Sequence, residues 1–295
     1  MTRQAHDQFA KQYLAELLSA LGEVETSRDV TSEVRQVDLY FVPATSPKVD
    51  PENYGILGKI ATSTCLIEPF RNPPTPIEVR NCLLKLFIIQ EEMLGKAKRE
   101  KNSLKEADLP CLWILSPSVS PRLTEGFGAK LNPKKQWSEG IHFFPEFYKT
   151  GIVAINQLPI NPFTLWLRLL GRGATQQQAV NELVSLPENN AFKGEILELL
   201  ANWRINVQVN QNLTNDDQEL IMNLSPAYLR WREDTLLEGR RELVSNLLKV
   251  RFGSIDEALA KIIEPMLQLS PEELTPLLLN SSCEELLARF GGELN

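Results

Sequence analysis

The chain has 295 residues, 43% of them hydrophobic and 23% charged, with 31 Lys+Arg against 38 Asp+Glu for a net charge of −7. That is the composition of an ordinary globular protein with a sizeable core, long enough for more than one domain. It excludes a strongly basic nucleic-acid coat protein and a disordered acidic tail. Residues 1–160 carry 19 basic against 19 acidic side chains and residues 161–295 carry 12 against 19, so the excess charge lies in the second half. A nucleic-acid partner would meet the first half. The polar start MTRQAHDQFAKQ holds no apolar signal core and no run is long enough to span a bilayer, which predicts a cytoplasmic protein with no membrane partner. Cys65, Cys82, Cys111 and Cys283 form no CxxC pair and read as buried, reduced thiols.

In chain order, residues 5–21 place Phe9, Tyr13, Leu14, Leu17, Leu18 and Leu21 at helical spacing, stopped by Gly22. The polar EVETSRDVTSEV reads as an edge strand. The strand EVRQVDLYFVPA follows, and its alternation puts Asp38 on the face of Gln36, Tyr40 and Val42. Residues 44–62, broken by Pro47, Pro51, Gly55 and Gly58, hold at their centre (YGILGKIAT) a turn of helix or a tight turn, and lead into STCLIEPF, where Glu68 shares a face with Leu66 and Phe70. An ionised carboxylate is costly to bury unless it is paired or holds a cation, so Asp38 and Glu68 on neighbouring strands are candidate metal ligands. The plainer alternative is an ion pair for each, with Arg35 and Arg71 close in sequence.

Thr75, Pro76 and Glu78 form a helix start, and the helix runs to about Lys101 with Lys96, Lys98, Arg99 and Lys101 at its end. PCLWILSPS (110–118) suits a central strand covered on both faces. GIHFFPEFY and TGIVAINQLP read as further strands or a hairpin at the sheet edge, and LNPKKQW as a basic loop with a packed Trp137. His6 and His142 read as structural. Beyond Asn161 the pattern is helical, with a segment opening at Asn161-Pro162 and others at about 174–186, 191–209, 214–224 and 226–252. SIDE (254–257), SPEE (270–273) and SCEE (282–285) each have the spacing of a capping box and predict three short amphipathic helices. Nothing in this half has catalytic spacing. It reads as a docking or self-association module, its apolar helices forming a homodimer or capping the first domain.

The order of helix, edge strand, strand with Asp38, strand with Glu68, helix with a basic end and apolar strand resembles the PD-(D/E)XK nuclease superfamily, the restriction-endonuclease-like fold. HDQFAKQYL is similar to the opening of the bacterial recombination-promoting nuclease and transposase-like group. Residues from about Gly239 to Phe290 resemble a small helical domain of unknown function often fused to it. The fold this implies is an α/β (α+β) N-terminal domain over 1–160, with a central mixed sheet flanked by helices. An all-α C-terminal region would follow, divided into a helical linker over 161–225 and a small helical domain over 226–295.

The resemblance implies Mg²⁺- or Mn²⁺-assisted hydrolysis of phosphodiesters in DNA. Asp38, Glu68 and the Pro69 carbonyl would be the metal ligands, with Asp7 or Glu16 as the first-helix acid. The family's Lys or Gln two residues after the strand acid is here Phe70, which cannot hydrogen-bond a water. The reachable substitutes are Lys59, Arg71, Lys85 and Gln90, and Lys59, just ahead of the acid strand, is the first choice as catalytic base-positioning residue. Strand alternation turns Arg71 away from Glu68, and the five-residue offset of Lys85 and Gln90 lets at most one face the sheet. The alternative function is an inactive nuclease-like fold kept as a binding or assembly module through its helical C-terminal half.

Overall fold

In a computed structural model, residues 5–30, 35–131, 137–187, 190, 192–194, 196–199 and 215–291 are described. The chain forms two compact units, Met1–Ala227 and Tyr228–Asn295. The first is built on a seven-stranded mixed sheet with helices around it, and the region after it is mostly helical. Among the described residues no helix is long and apolar enough to cross a membrane.

Helix α1 (Ala5–Ser19) presents Phe9, Ala10, Tyr13, Leu14, Leu17 and Leu18 to the interior. The polar strand β1 (Gly22–Val30) is the edge strand that its weak alternation predicts, paired only with β2 (Arg35–Pro43). Strand β3 (Cys65–Pro69) lies antiparallel to β2 and parallel to β4 (Cys111–Ser116). β4 is parallel in turn to β7 (Thr150–Ala154), and β6 (Ile141–Phe143) and β5 (Lys130–Leu131) complete the order β1-β2-β3-β4-β7-β6-β5. A parallel pair needs a crossover, and α3 (Pro76–Arg99) supplies it between β3 and β4. Thr75 starts α3 with both halves of a capping box, Thr75 accepting from the Glu78 amide and Glu78 accepting from the Thr75 amide at 2.7 Å. Its buried stripe of Val79, Cys82, Leu83, Leu86 and Ile89 meets Leu66, Leu112, Ile114 and Ile152 from the sheet.

The packing settles alternatives and adds elements. The segment before β3 holds the turn of helix that YGILGKIAT allows, as a 3₁₀ turn (Pro51–Tyr54) and α2 (Gly55–Ile60). GIHFFPEFY and TGIVAINQLP do supply the further strands expected, β6 and β7, paired antiparallel, with β7 lying inside the sheet against β4, where Gly151 leaves room for the Trp113 ring, 2.4 Å from where a Cβ would sit. A short helix capped by Ser120, α4 (Pro121–Gly126), interrupts the apolar segments. Asn161-Pro162 opens a 3₁₀ turn and then a helix of one turn, α5 (Leu165–Arg168), followed by α6 (Ala174–Val184). These pack on the sheet unit: the Trp166 indole donates to the Asn53 carbonyl and the Tyr13 hydroxyl to the Trp166 carbonyl. Of the helix predicted over 191–209, residues 200–209 lie outside the described residues.

The two helices expected at 214–224 and 226–252 are one, α7 (Asn215–Phe252), running through Pro226. A proline there removes one backbone hydrogen bond. α8 (Glu257–Leu267), α9 (Pro271–Asn280) and α10 (Cys283–Phe290) pack Leu259, Ile262, Met266, Leu274 and Leu286 on Val244 and Leu248 of α7. Ser270 and Ser282 close the predicted capping boxes with Glu273 and Glu285. The first one differs: Asp256, not Ser254, caps α8, its carboxylate accepting from the Leu259 amide at 2.8 Å.

Candidate functional site

Two strands and two helices deliver four charged side chains to one place. Asp38 sits in β2 and Glu68 near the end of β3, on the face covered by α3. The Asp38 amide donates to Glu68 Oε1 at 3.4 Å. The two carboxyl groups interact directly, since Asp38 acts on Glu68 both by its charge and by a side-chain hydrogen bond. Alternation along each strand is what brings them together, as the sequence pattern implies. From α3, three residues after buried Cys82, Lys85 extends its ammonium to both Glu68 oxygens, at 2.9 and 2.8 Å. From the buried face of α1, Lys11 forms an ion pair with Asp38. The side chain of Glu68 is 3% exposed, those of Lys85 and Lys11 15% and 10%, and that of Asp38 21%. Water therefore reaches the cluster from the Asp38 side.

Burial strips water from Glu68 and, with the Asp38 charge adding to it, pushes its carboxyl up to about 7 against the opposing pull of Lys85. Burial works to lower Lys85, but the Glu68 charge and hydrogen bond outweigh it and hold the ammonium above its usual range. A carboxyl poised near neutrality beside a firmly protonated ammonium can exchange a proton at Glu68 while Lys85 keeps donating.

The other candidates fall elsewhere. Lys59 lies on α2 with its ammonium 4.6 Å from the centre of the Trp137 ring, which itself packs on Trp113 and Phe143. The charges set beside Glu68 are those of Lys85 and Asp38, so the lysine bonded to Glu68 is Lys85, from the next helix. Arg71 turns away, as alternation predicts, and donates to the Gly171 carbonyl at 3.4 Å. Gln90 does face the sheet side along with Lys85, donating to the Pro110 carbonyl at 2.9 Å; the two sit about 140° apart round the helix and reach different strands, so the expectation of only one was too strict. Phe70 shares the Glu68 face and packs on the apolar core under α3, its amide donating to the Leu115 carbonyl. Pro69 ends β3, buried opposite Leu115. Glu16 is exposed on α1, and the Asp7 and His6 side chains lie outside the described residues. His142, on β6, is lowered by burial.

The residue that the sequence reading missed is Lys11. It sits at helical spacing with Leu14 and Leu18, so the apolar stripe of the first helix already placed a charge inside the protein. No family model, curated protein or solved structure matches the chain.

Asp38 and Glu68 bring two adjoining carboxylates to one place. Among the described residues no cluster of three or more His, Cys, Asp and Glu forms a metal site. A positive ion would oppose the rise of Glu68, which burial causes first and the Asp38 charge second, and Lys11 and Lys85 already stand where positive charge is favoured.

Proposed function

We propose that the first unit is a metal-dependent phosphodiester hydrolase acting on DNA, with Asp38 and Glu68 as metal-holding acids and Lys85 in the role that Phe70 cannot fill. The observation that carries this reading is the Lys85 ammonium spanning both oxygens of Glu68 beside Asp38. A lysine on the crossover helix reaches the strand acid from above and lies on the same side of it as a strand residue two positions on.

The ion, when bound, polarises the phosphate and lowers the pKa of a coordinated water. Asp38 and Glu68 would hold it, with the Pro69 carbonyl as a further ligand. Lys85, with three N–H donors on a flexible stem, orients the attacking water or donates to charge developing on the phosphate oxygens. The apolar wall of α3 and Phe70 keeps bulk water from Glu68.

The test is cleavage of plasmid, linear and single-stranded DNA by the purified chain with Mg²⁺ or Mn²⁺, alongside Asp38→Asn, Glu68→Gln and Lys85→Met. Metal-dependent cleavage that falls about 100-fold or more in each variant is the expected result. Folded wild type that neither cleaves nor binds the ions overturns it.

That negative result would leave a second reading, an inactive nuclease-like fold serving as a binding or assembly module. It draws support from Phe70, packed as core, and from the lysine already paired with each acid.

A further inference from the structure

Cys65 opens β3 and Cys111 opens β4, and the parallel register sets them directly opposite one another. Adjacent strands run about 4.8 Å apart, inside the Cα separation of roughly 4.4–6.8 Å that a disulfide spans. Register partners in a parallel pair point to the same face, here the face opposite Glu68, so this pair is separate from the acid cluster. The thiols meet across the ladder: the hydrogen bond with Cys65 is the largest influence on Cys111.

Their surroundings differ sharply. Cys65 is fully buried, and the Cys111 hydrogen bond and burial push its thiol up. Cys111 is half-buried and lines a pocket of about 320 Å³ with Trp113, Phe143, Glu146 and Lys149. The Cys65 hydrogen bond, the Ser63 hydroxyl 3.6 Å away, Trp113 and the Lys149 charge outweigh burial and lower the Cys111 thiol to about 7. The arrangement therefore has a half-buried, thiolate-prone cysteine lining a pocket and a fully buried thiol beside it on the next strand. Those are the two parts of a reactive and resolving cysteine pair.

We propose that Cys111 and Cys65 form a peroxide-reactive dithiol site, taking hydrogen peroxide or a small organic hydroperoxide at the pocket beside Lys149. The Cys111 thiolate attacks one peroxide oxygen, the O–O bond breaks, and the departing oxygen leaves as water (or an alcohol) after taking up a proton. Cys111 is then a sulfenic acid. The Cys65 sulfur attacks that sulfur, the S–S bond forms, the S–O bond breaks, and water leaves with the Cys65 proton. Two thiols are oxidised by two electrons and one peroxide is reduced. The spacing of paired strands lies within the Cα span of a disulfide, so the sheet keeps its register as the bond forms.

The experiment is titration of the full chain with hydrogen peroxide, followed by thiol counting under denaturing conditions and peptide mapping. Two of the four thiols disappear, the mass falls by about 2 Da for two hydrogens, and one linked peptide pair joins Cys65 to Cys111. Dithiothreitol restores both. Cys82, buried under α3, and Cys283, packed on the C-terminal core, stay free. Cys65→Ser leaves Cys111 as a sulfenic acid that a dione reagent captures, and Cys111→Ser abolishes the reaction at Cys65. Wild type in which Cys111 stays reduced, or passes to sulfinic acid with Cys65 still a free thiol, overturns the proposal. These wild-type readouts stand even if a variant fails to fold, and they are independent of phosphodiester cleavage.

Discussion

The sheet-bearing unit and residues 228–291 treat charge in opposite ways. In the first, Glu68 and Arg168 are buried and Lys85 nearly so, each held by a specific partner. Arg168, fully buried, donates to both Glu182 oxygens at 3.0 and 2.5 Å, to Thr164 Oγ1 and to the Asn161 carbonyl. In the second, the interior is leucine, isoleucine, methionine, valine and phenylalanine, and the charged groups stay at the rim. Arg240 and Arg251 of α7 donate to the carbonyls of Leu269 and Leu278, near the ends of α8 and α9, where a helix carries partial negative charge. An apolar core asks only that side chains fill space. A buried charge asks for a named partner at a named distance, and its removal leaves that partner stranded. The difference makes the first unit, through Glu68, the pH-sensitive one.

Four substitutions break or sharpen the contrast. Arg168→Met strands the Glu182 carboxylate and the Asn161 carbonyl, and the first unit loses about 3 kcal/mol in urea denaturation. A loss under about 1 kcal/mol would make this arginine no different from one at the rim.

Glu68→Gln tests the pH side. The folded carboxyl is raised from 4.5 to about 7, so between those values the folded chain holds a proton that the unfolded chain has released. Stability from this group is complete below pH 4.5 and is lost as pH rises to 7, on the order of 3 kcal/mol in all. Subtracting the melting profile of Glu68→Gln from that of wild type between pH 4.5 and 7 isolates this slope, and a flat difference contradicts the burial argument. Lys85, raised above 10.5, contributes no slope in that window.

In the helical unit, Ser282→Ala removes the cap that accepts from the Glu285 amide at 3.2 Å. It costs about 1 kcal/mol by thermal melting, with no dependence on pH from 5 to 7. Arg241→Ala, which breaks exposed pairs with Glu238 and Glu264, leaves the melting temperature unchanged. A clear drop there would place charge inside this unit after all.

Much of the fold could be read locally. Helix α1, strand β2, the capped start of α3, and the boxes at Ser270 and Ser282 all follow from short-range periodicity or from one side chain reaching an amide three residues on. The acids Asp38 and Glu68 were legible for the same reason, because alternation fixes a face. The basic partner was not. Lys59 is nearer to Glu68 in sequence than Lys85 is, yet α2 carries it to Trp137, while the crossover from β3 folds α3 back over the strand and brings Lys85 to Glu68. Lys11 reached Asp38 from 27 positions away in sequence, because α1 lies against β2.

The amino-acid sequence alone set where elements begin, which faces are apolar and which strands carry acids, because those depend on periods of 2 and 3.6 and on caps within four residues. The tertiary structure alone decided that β7 is interior, that Lys85 and Lys11 hold the acids, and that Cys65 lies against Cys111. Each of these depends on which strand lies beside which, and parallel pairing is written in no local pattern.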